Sequence, residues 1–389
     1  MIRLHAHIAL GLLCLSAVSA MPAERARDLG VPFDGTPGPL NAITDVAGVQ
    51  VGQTTLISGD GKLQRGVGPV RTGVTAILPR GQNDATPVYA GYFSQNGNGE
   101  MTGAAWIEES GFAEGPVLIT NTHSVGVVRD AVIHWQVAKR AQQQLFNDLW
   151  SLPIVAETWD GYLNDINGFH VKDTDALHAL DTARSGPVEE GAVGGGTGMI
   201  CYGFKGGIGT SSRKLSVQEG GYTVGVLVQC NCGRRPLLRV AGVPVGREIS
   251  DNIPYAANAP GMQRDLGSII IVIATDAPLV GTQLKRLARR ATMGLARTGS
   301  VSGNGSGDLF LALSVANHDV KSAGVSTVNV LGNDSLDPIF EATVNATEEA
   351  IVNAMVGAKT MVGIDNHTVI GLPHDKLSAT LRKYNRLAH

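Results

Sequence analysis

Leu266-Gly267-Ser268 runs directly into Ile269-Ile270-Ile271-Val272-Ile273-Ala274-Thr275-Asp276, so a small hydroxyl side chain stands where an uninterrupted apolar run begins. A run of this kind, without polar alternation, predicts a strand covered on both faces. The Gly267-Ser268 step at its head has two readings. One is a plain turn before a core strand, since glycine and serine are ordinary turn residues. The other is the junction of a self-cleaving precursor, in which the serine becomes a new chain N-terminus held rigidly by a sheet.

Further Val-, Ile- and Leu-rich runs over 73–78, 117–120, 223–228 and 309–314 predict more strands covered on both faces. Apolar residues at every third or fourth position predict helices over 130–149, 283–297 and 337–356. Helices and strands intermix throughout, with no Pro/Ser-rich linker, charge block or internal repeat, which predicts one large domain over 21–389. The fold expected is α/β, with helices covering both faces of two packed sheets. A doubly wound open sheet is the second choice. Fifty glycines and 5% aromatic residues suit a layered structure with tight turns and close backbone packing.

The composition, 43% hydrophobic and 17% charged, is that of a soluble globular protein, and a net charge of -3 argues against a dedicated nucleic-acid binder. Lys285, Arg286, Arg289 and Arg290 alternate with Leu284, Leu287, Ala288 and Ala291, the wet face of an amphipathic helix. At the N-terminus, Arg3, an apolar stretch over 8–15 and Val18-Ser19-Ala20 together predict a signal peptide over 1–20. No later apolar run is long and uninterrupted, so the mature chain is expected to be free of the membrane, periplasmic or secreted. Cys14 leaves with the signal. Of Cys201, Cys230 and Cys232, a disulfide from Cys201 to either of the others is open, and in a strand Cys230 and Cys232 point away from Asn231. Cys-x-Cys without further ligands is weak support for a metal, and no cofactor is expected.

Four segments invite chemistry. Residues 194–199, Gly-Gly-Gly-Thr-Gly-Met, match neither a dinucleotide fingerprint nor a P-loop and suit a tight crossing of backbone against backbone or substrate. In 302–308, a polar glycine-rich loop, Ser306 and Asp308 stand where solvent or ligand reaches them, or Asp308 caps a turn. Asn231 ends a strand and offers an amide donor of the kind an oxyanion needs, although strand-terminal asparagines also form turns. Residues 157–165 crowd Glu157, Trp159, Asp160 and Asp165 into one loop that binds a cationic amine or is a solvated turn. No histidine pair has metal-ligand spacing and no Gly-x-Ser-x-Gly elbow occurs.

Together, Asn98-Gly99-Glu100-Met101-Thr102-Gly103, Asn121-Thr122-His123-Ser124-Val125-Gly126, residues 160–165, 194–199 and 226–231, and Gly267-Ser268 with its strand closely resemble the L-aminopeptidase/D-Ala-esterase/amidase family, which includes the β-peptidyl aminopeptidases. The resemblance runs from about Arg27 to the C-terminus. It implies a four-layer αββα sandwich similar to the N-terminal nucleophile hydrolases, and a homotetramer. It also implies self-cleavage between Gly267 and Ser268 into chains 21–267 and 268–389, with Ser268 as nucleophile. Ser306 and Asp308 match that serine's partners, the acid being the longer Glu in some members. Asn231 matches the oxyanion-stabilising asparagine, and Glu157 the acid near the substrate's free amine. One departure is Trp159, where a tyrosine is expected; an indole N–H donates but is no hydroxyl. The implied activity is removal of N-terminal residues from small peptides, amides or esters. β-Peptidyl or D-aminoacyl specialists, self-cleaving acyltransferases of similar layering, which use threonine, and a non-catalytic exported binding protein are its rivals.

Overall fold

The computed structural model describes residues 24–142, 149–254, 267–318 and 324–388. The expected signal peptide, with Cys14, lies outside the described residues.

Four strands form one sheet in the order β1-β2-β5-β6: β1 (Gln50–Ser58), β2 (Val70–Leu78), β5 (Val117–Asn121) and β6 (Ile154–Thr158). Six form the other, in the order β4-β3-β12-β11-β10-β9. Its members are β3 (Val88–Gly97), β4 (Phe112–Ala113), β9 (Gly207–Lys214), β10 (Thr223–Asn231), β11 (Ser268–Thr275) and β12 (Gly307–Ser314). A hairpin of β7 (Ile200–Cys201) and β8 (Phe204–Lys205) stands beside it. The α-helices among the described residues are α1 (Ala104–Ser110), α2 (Val125–Gln142), α3 (Asp173–Asp181), α4 (Val245–Glu248), α5 (Gly281–Arg297), α6 (Asp337–Val356) and α7 (His374–Lys383), and a second hairpin pairs β13 (Met361–Val362) with β14 (Thr368–Val369).

Strand β11 shows why the layers form. Because side chains alternate across a strand, Ile269, Ile271 and Ile273 join the core that includes Leu284, Leu287, Ala350 and Met355 of α5 and α6. Ile270, Val272 and Ala274 face the other way, into a core shared with Ile77, Ile119 and Ala156 of the four-stranded sheet. On the far side of that sheet, Val74, Ala76, Leu118 and Val155 pack with Val128, Val132, Ala176 and Leu180 of α2 and α3. The order is therefore helix, sheet, sheet, helix. Each fully buried Ile or Val in these layers contributes about 1.5–3 kcal/mol by leaving water.

Close approach depends on missing side chains. A Cβ at Gly209 of β9 would lie 2.0 Å from the Ala350 carbonyl oxygen of α6, and one at Gly91 of β3 would lie 2.1 Å from the Lys285 nitrogen of α5. The pairs β11–β12 and β5–β6 are parallel, spanned by α5 and α2, and the other strand pairs of the two sheets are antiparallel. The doubly wound alternative is thereby overturned, since a two-faced apolar strand fits a sandwich layer as well as a parallel sheet.

The helix expected over 130–149 begins earlier, at Val125, and is described to Gln142. Asn121 explains the early start: its Oδ1 accepts the His123 N–H at 3.0 Å and caps the short turn feeding α2. Helix α5 carries its basic residues outward as expected, with Arg290 stacked on Phe340 and Lys285 paired to Glu108. Among the described residues, no helix is long and apolar enough to cross a membrane.

Glu349, buried on α6, gathers three elements. It pairs with Arg213 of β9 at 2.7 Å and with Arg27 at 2.8 Å, and accepts from Asn41 at 2.6 Å. These cations hold its carboxyl below the ordinary range despite burial, which acts the other way. Glu349→Ala leaves the Arg213 guanidinium buried without its counter-charge and is expected to cost about 3–5 kcal/mol, read as a lower denaturant midpoint.

Candidate active site

Antiparallel pairing sets Asn231, the last residue of β10, directly across from Ser268, the first of β11. On the other side of β11 runs β12, and the Gly307 N–H donates to Ser268 Oγ at 3.0 Å. A backbone donor on a hydroxyl oxygen favours negative charge there. Gly267 precedes Ser268 in a cramped place. A Cβ on it would fall 1.8 Å from the Asn231 carbonyl oxygen, so the backbone can pass only where no side chain exists.

Within 302–308, residues 302–305 are half-exposed or exposed, while Ser306 and Asp308 turn inward and neither side chain faces solvent. Ser306 and Asp308 are both 0% exposed in this chain, and Asp308 lies inside β12. Backbone and amide groups from residues 96–98 cover the loop. Asn96 Nδ2 donates to the Ser302 carbonyl, Asn98 Nδ2 to that of Gly305 at 2.8 Å, and Asn98 N–H to that of Ser306 at 3.3 Å. Ser306 Oγ donates to Asp308 Oδ1 at 2.6 Å, so the shorter acid reaches its serine. With its proton so directed, Ser306 oxygen keeps its lone pairs for another donor.

Glu157 arrives from the other sheet. It sits near the end of β6, and residues 98–102 bring the two sheets together there. Asn98 bonds to Ser306 on one side, while Met101 bridges Ala156 on the other. Glu157 Oε1 accepts the Glu100 N–H at 3.0 Å, and Oε2 accepts from the Thr122 hydroxyl. A Cβ at Gly99 would touch both Glu157 Oε1 and Gly307 Cα, at 3.4 and 3.1 Å, which puts this carboxylate close to the donor of Ser268. Burial pushes the Glu157 carboxyl above its ordinary range, opposed by the bonds from Thr122 and Glu100.

The Asn231 side chain is held at both ends. Its Oδ1 accepts the Ile200 N–H at 2.7 Å and its Nδ2 donates to the Trp159 carbonyl at 2.9 Å. Those partners fix which end is nitrogen, because a peptide N–H only donates and a carbonyl only accepts. One amide hydrogen is left for a further acceptor. Trp159, a 42% exposed residue, thus enters through its main chain, while its ring lies against Gly161. The rest of that loop is not a solvated turn: Asp160, Asn164 and Asp165 are buried. Asn164 Nδ2 donates to Asp160 Oδ1 at 3.0 Å and its Oδ1 accepts the Arg71 N–H at 2.9 Å.

Glycines 194–196 are the backbone crossing expected. A Cβ on Gly195 would meet Gln229 Oε1 at 2.3 Å, and one on Gly196 the Ile208 nitrogen at 2.5 Å. Cys201 pairs with Cys230, and Cys232 stands outside that disulfide with its sulfur 3.8 Å from Cys230 Sγ. Five contributors escaped the sequence reading: the N–H groups of Gly307, Glu100 and Ile200, the Trp159 carbonyl and the Thr122 hydroxyl. Four are main-chain groups with no residue-type signal, and Thr122 showed only as part of the Asn121-Thr122-His123 motif.

Residues 41–369 match the family model described as Peptidase family S58. The chain belongs to peptidase family S58. Over 388 residues it is 57% identical to a β-peptidyl aminopeptidase of Sphingosinicella microcystinivorans, covering 97% of this chain and 96% of that protein. A second β-peptidyl aminopeptidase, from Sphingosinicella xenopeptidilytica, is 48% identical, covering 95% and 93%. The L-aminopeptidase D-Ala-esterase/amidase of Ochrobactrum anthropi, described as a variant of the Ntn hydrolase fold, superposes with a TM-score of 0.87 at 50% identity, covering 94% of this chain and 99% of that one. S58 membership and these relatives make the chain a hydrolase of the aminopeptidase class on an Ntn-type four-layer fold.

In this S58 chain Gly307 is wedged: a Cβ there would lie 2.4 Å from the Asn98 carbonyl oxygen and 2.7 Å from Gly99 Cα. Both neighbours are backbone and must move. Gly307→Ala is expected to lower stability by about 1–3 kcal/mol and to cut turnover more than its thermal shift explains, read by melting and steady-state kinetics together.

Proposed function

We propose that this chain is a self-processing serine aminopeptidase that removes the N-terminal residue of small peptides, amides or esters through an acyl-enzyme on Ser268. The observation that carries the reading is the Gly307 N–H on Ser268 Oγ, with the Gly267–Ser268 peptide at the head of β11 and Asn231 across from it.

In the uncut chain the Ser268 nitrogen is an amide and has no basicity. Ser268 Oγ attacks the Gly267 carbonyl carbon, the C–N bond breaks, and the acyl group moves to oxygen. That break frees the Ser268 α-amine, which takes up the hydroxyl proton, and water then opens the ester, releasing the Gly267 carboxylate and restoring the Ser268 hydroxyl. With a reference pKa near 8, that amine is a suitable base close to neutral pH. It takes the hydroxyl proton as Oγ attacks the substrate carbonyl, and gives it to the leaving amine. Asn231 donates its remaining amide hydrogen to the oxyanion. The Ser306–Asp308 pair presents an acceptor beside Gly307 that orients the amine.

Glu157 holds the substrate ammonium, which makes the site select a free N-terminus over an internal bond. The β-peptidyl aminopeptidase relatives favour β-aminoacyl substrates within this reading, and Trp159 in place of tyrosine bears on selectivity. Export to the periplasm or beyond, after loss of residues 1–20, is supported by the Cys201–Cys230 disulfide, which persists in oxidising compartments. Assembly as a homotetramer, from family resemblance, is measurable by light scattering.

Intact mass and N-terminal sequencing of mature protein should give two fragments, the smaller beginning at Ser268. Ser268→Ala should leave one band and release no N-terminal residues. Fragmentation or aminopeptidase activity in that variant would overturn the reading. Turnover of L-, D- and β-aminoacyl amides by the processed enzyme then ranks the substrate classes.

Because burial raises the Glu157 pKa, its carboxylate is lost on acidification earlier than an ordinary glutamate. KM is therefore expected to rise as pH falls through that raised value, with kcat less affected. Glu157→Gln should raise KM at neutral pH by about tenfold or more, the worth of a charge-assisted bond, and flatten the acid limb of kcat/KM.

A further inference from the structure

Lys205 has a setting that the proposed mechanism does not use. It is 0% exposed. Its ammonium faces no carboxylate within ion-pair distance among the described residues. Instead Nζ donates to three main-chain carbonyls, those of Met199 at 2.7 Å, Gly206 at 2.8 Å and Gly196 at 3.4 Å. A buried cation is costly unless its donors are satisfied, so such a cage needs a reason.

The Met199 carbonyl belongs to the same peptide unit as the Ile200 N–H. That N–H is the donor to Asn231 Oδ1. The bonds therefore run one way: Lys205 Nζ–H to the 199–200 peptide, that peptide to the Asn231 amide, and the remaining Asn231 N–H outward. A second donor, the Gly206 N–H at 2.9 Å, adds to the pull on the Met199 carbonyl. Hydrogen bonds aligned in this sense polarise one another, and a charged first donor strengthens the chain.

Local structure keeps the parts in register. Strands β7 and β8 pair Ile200 with Lys205 through a turn in which Tyr202 and Gly203 both have positive φ, 51° and 70°, the geometry of a tight hairpin. The Cys201–Cys230 disulfide ties the residue after Ile200 to the residue before Asn231. Burial pulls the Lys205 ammonium down to about 7, and the nearby Asp160 charge opposes this.

We propose that Lys205 is a positioning residue for acyl transfer, holding and polarising the Met199–Ile200 peptide so that Asn231 is a stronger oxyanion donor. This rests on the reading of Asn231 as that donor. Lys205 touches no reacting atom; its effect passes through Asn231.

A double-mutant cycle tests it, using the full chain, an aminoacyl p-nitroanilide substrate and kcat per processed chain. Deleting a whole oxyanion donor costs about 10²–10³ in kcat, so weakening one by Lys205→Met is expected to cost about 10–100-fold with KM within about twofold. In an Asn231→Ala background the same change should cost under about twofold, because its route is gone. Unchanged kcat, a loss confined to KM, or full multiplication of the two losses would each overturn the proposal. If Asn231→Ala alone leaves kcat intact, the oxyanion reading fails, and separately so. Where processing stalls, the precursor's cleavage rate replaces kcat in the same cycle. If Lys205→Met does not fold, Lys205→Gln, which keeps a donor without the charge, carries the test. Failure of both to fold would assign Lys205 to stability and overturn the proposal.

Discussion

The site depends on one register: β11 lies between β10 and β12 so that Ser268 faces Asn231 on one side and meets the Gly307 N–H on the other. A strand's side chains alternate, so a slip of one residue would exchange its two faces. Both faces of β11 are committed, Ile269, Ile271 and Ile273 to the helical layer and Ile270, Val272 and Ala274 to the space between sheets. Apolar burial along the whole strand thus locks the position of the serine at its tip.

Around that tip, burial ties the polar groups of the site to fixed partners. Glu157 is satisfied by the Glu100 N–H and the Thr122 hydroxyl, Asn231 by Ile200 and Trp159, Ser306 by Asp308. These bonds matter less for net stability, where one contributes about 1 kcal/mol, than for direction. An amide or hydroxyl with one side already engaged can offer only the other. Main-chain groups do much of this work. They are fixed by sheets and by glycine crossings that no side chain could enter, as at Gly195, Gly267 and Gly307.

Much of this arrangement is legible in the sequence. Unalternated Val, Ile and Leu runs marked the central strands, helical spacing marked α5 and α6, and Ser268, Asn231, Glu157, Ser306 and Asp308 stood out by residue type or family resemblance. The burial of Ser306 and Asp308 was not legible, because a Gly/Ser/Asp loop has the composition of an exposed turn. What covers it is the segment at 96–98, distant in sequence. Likewise Asp160 and Asp165 read equally as amine-binding acids or as part of a solvated turn, yet they lie in a buried network. Two cysteine partners were open for Cys201, and strand alternation gave both the same face; only the placement of the β7–β8 hairpin selected Cys230.

Local periodicity, turn residues and motif identity are properties of neighbouring residues, and these the sequence determined alone: two-faced strands, the amphipathic α5, the Gly267-Ser268 step at the head of a buried strand, and the family. Tertiary structure decided which sheet each strand joined, which main-chain N–H groups met Ser268 and Asn231, and how Glu157 crossed from one sheet to the site on the other. Those outcomes follow from burying both faces of two sheets at once, a condition on the whole chain that no single segment contains.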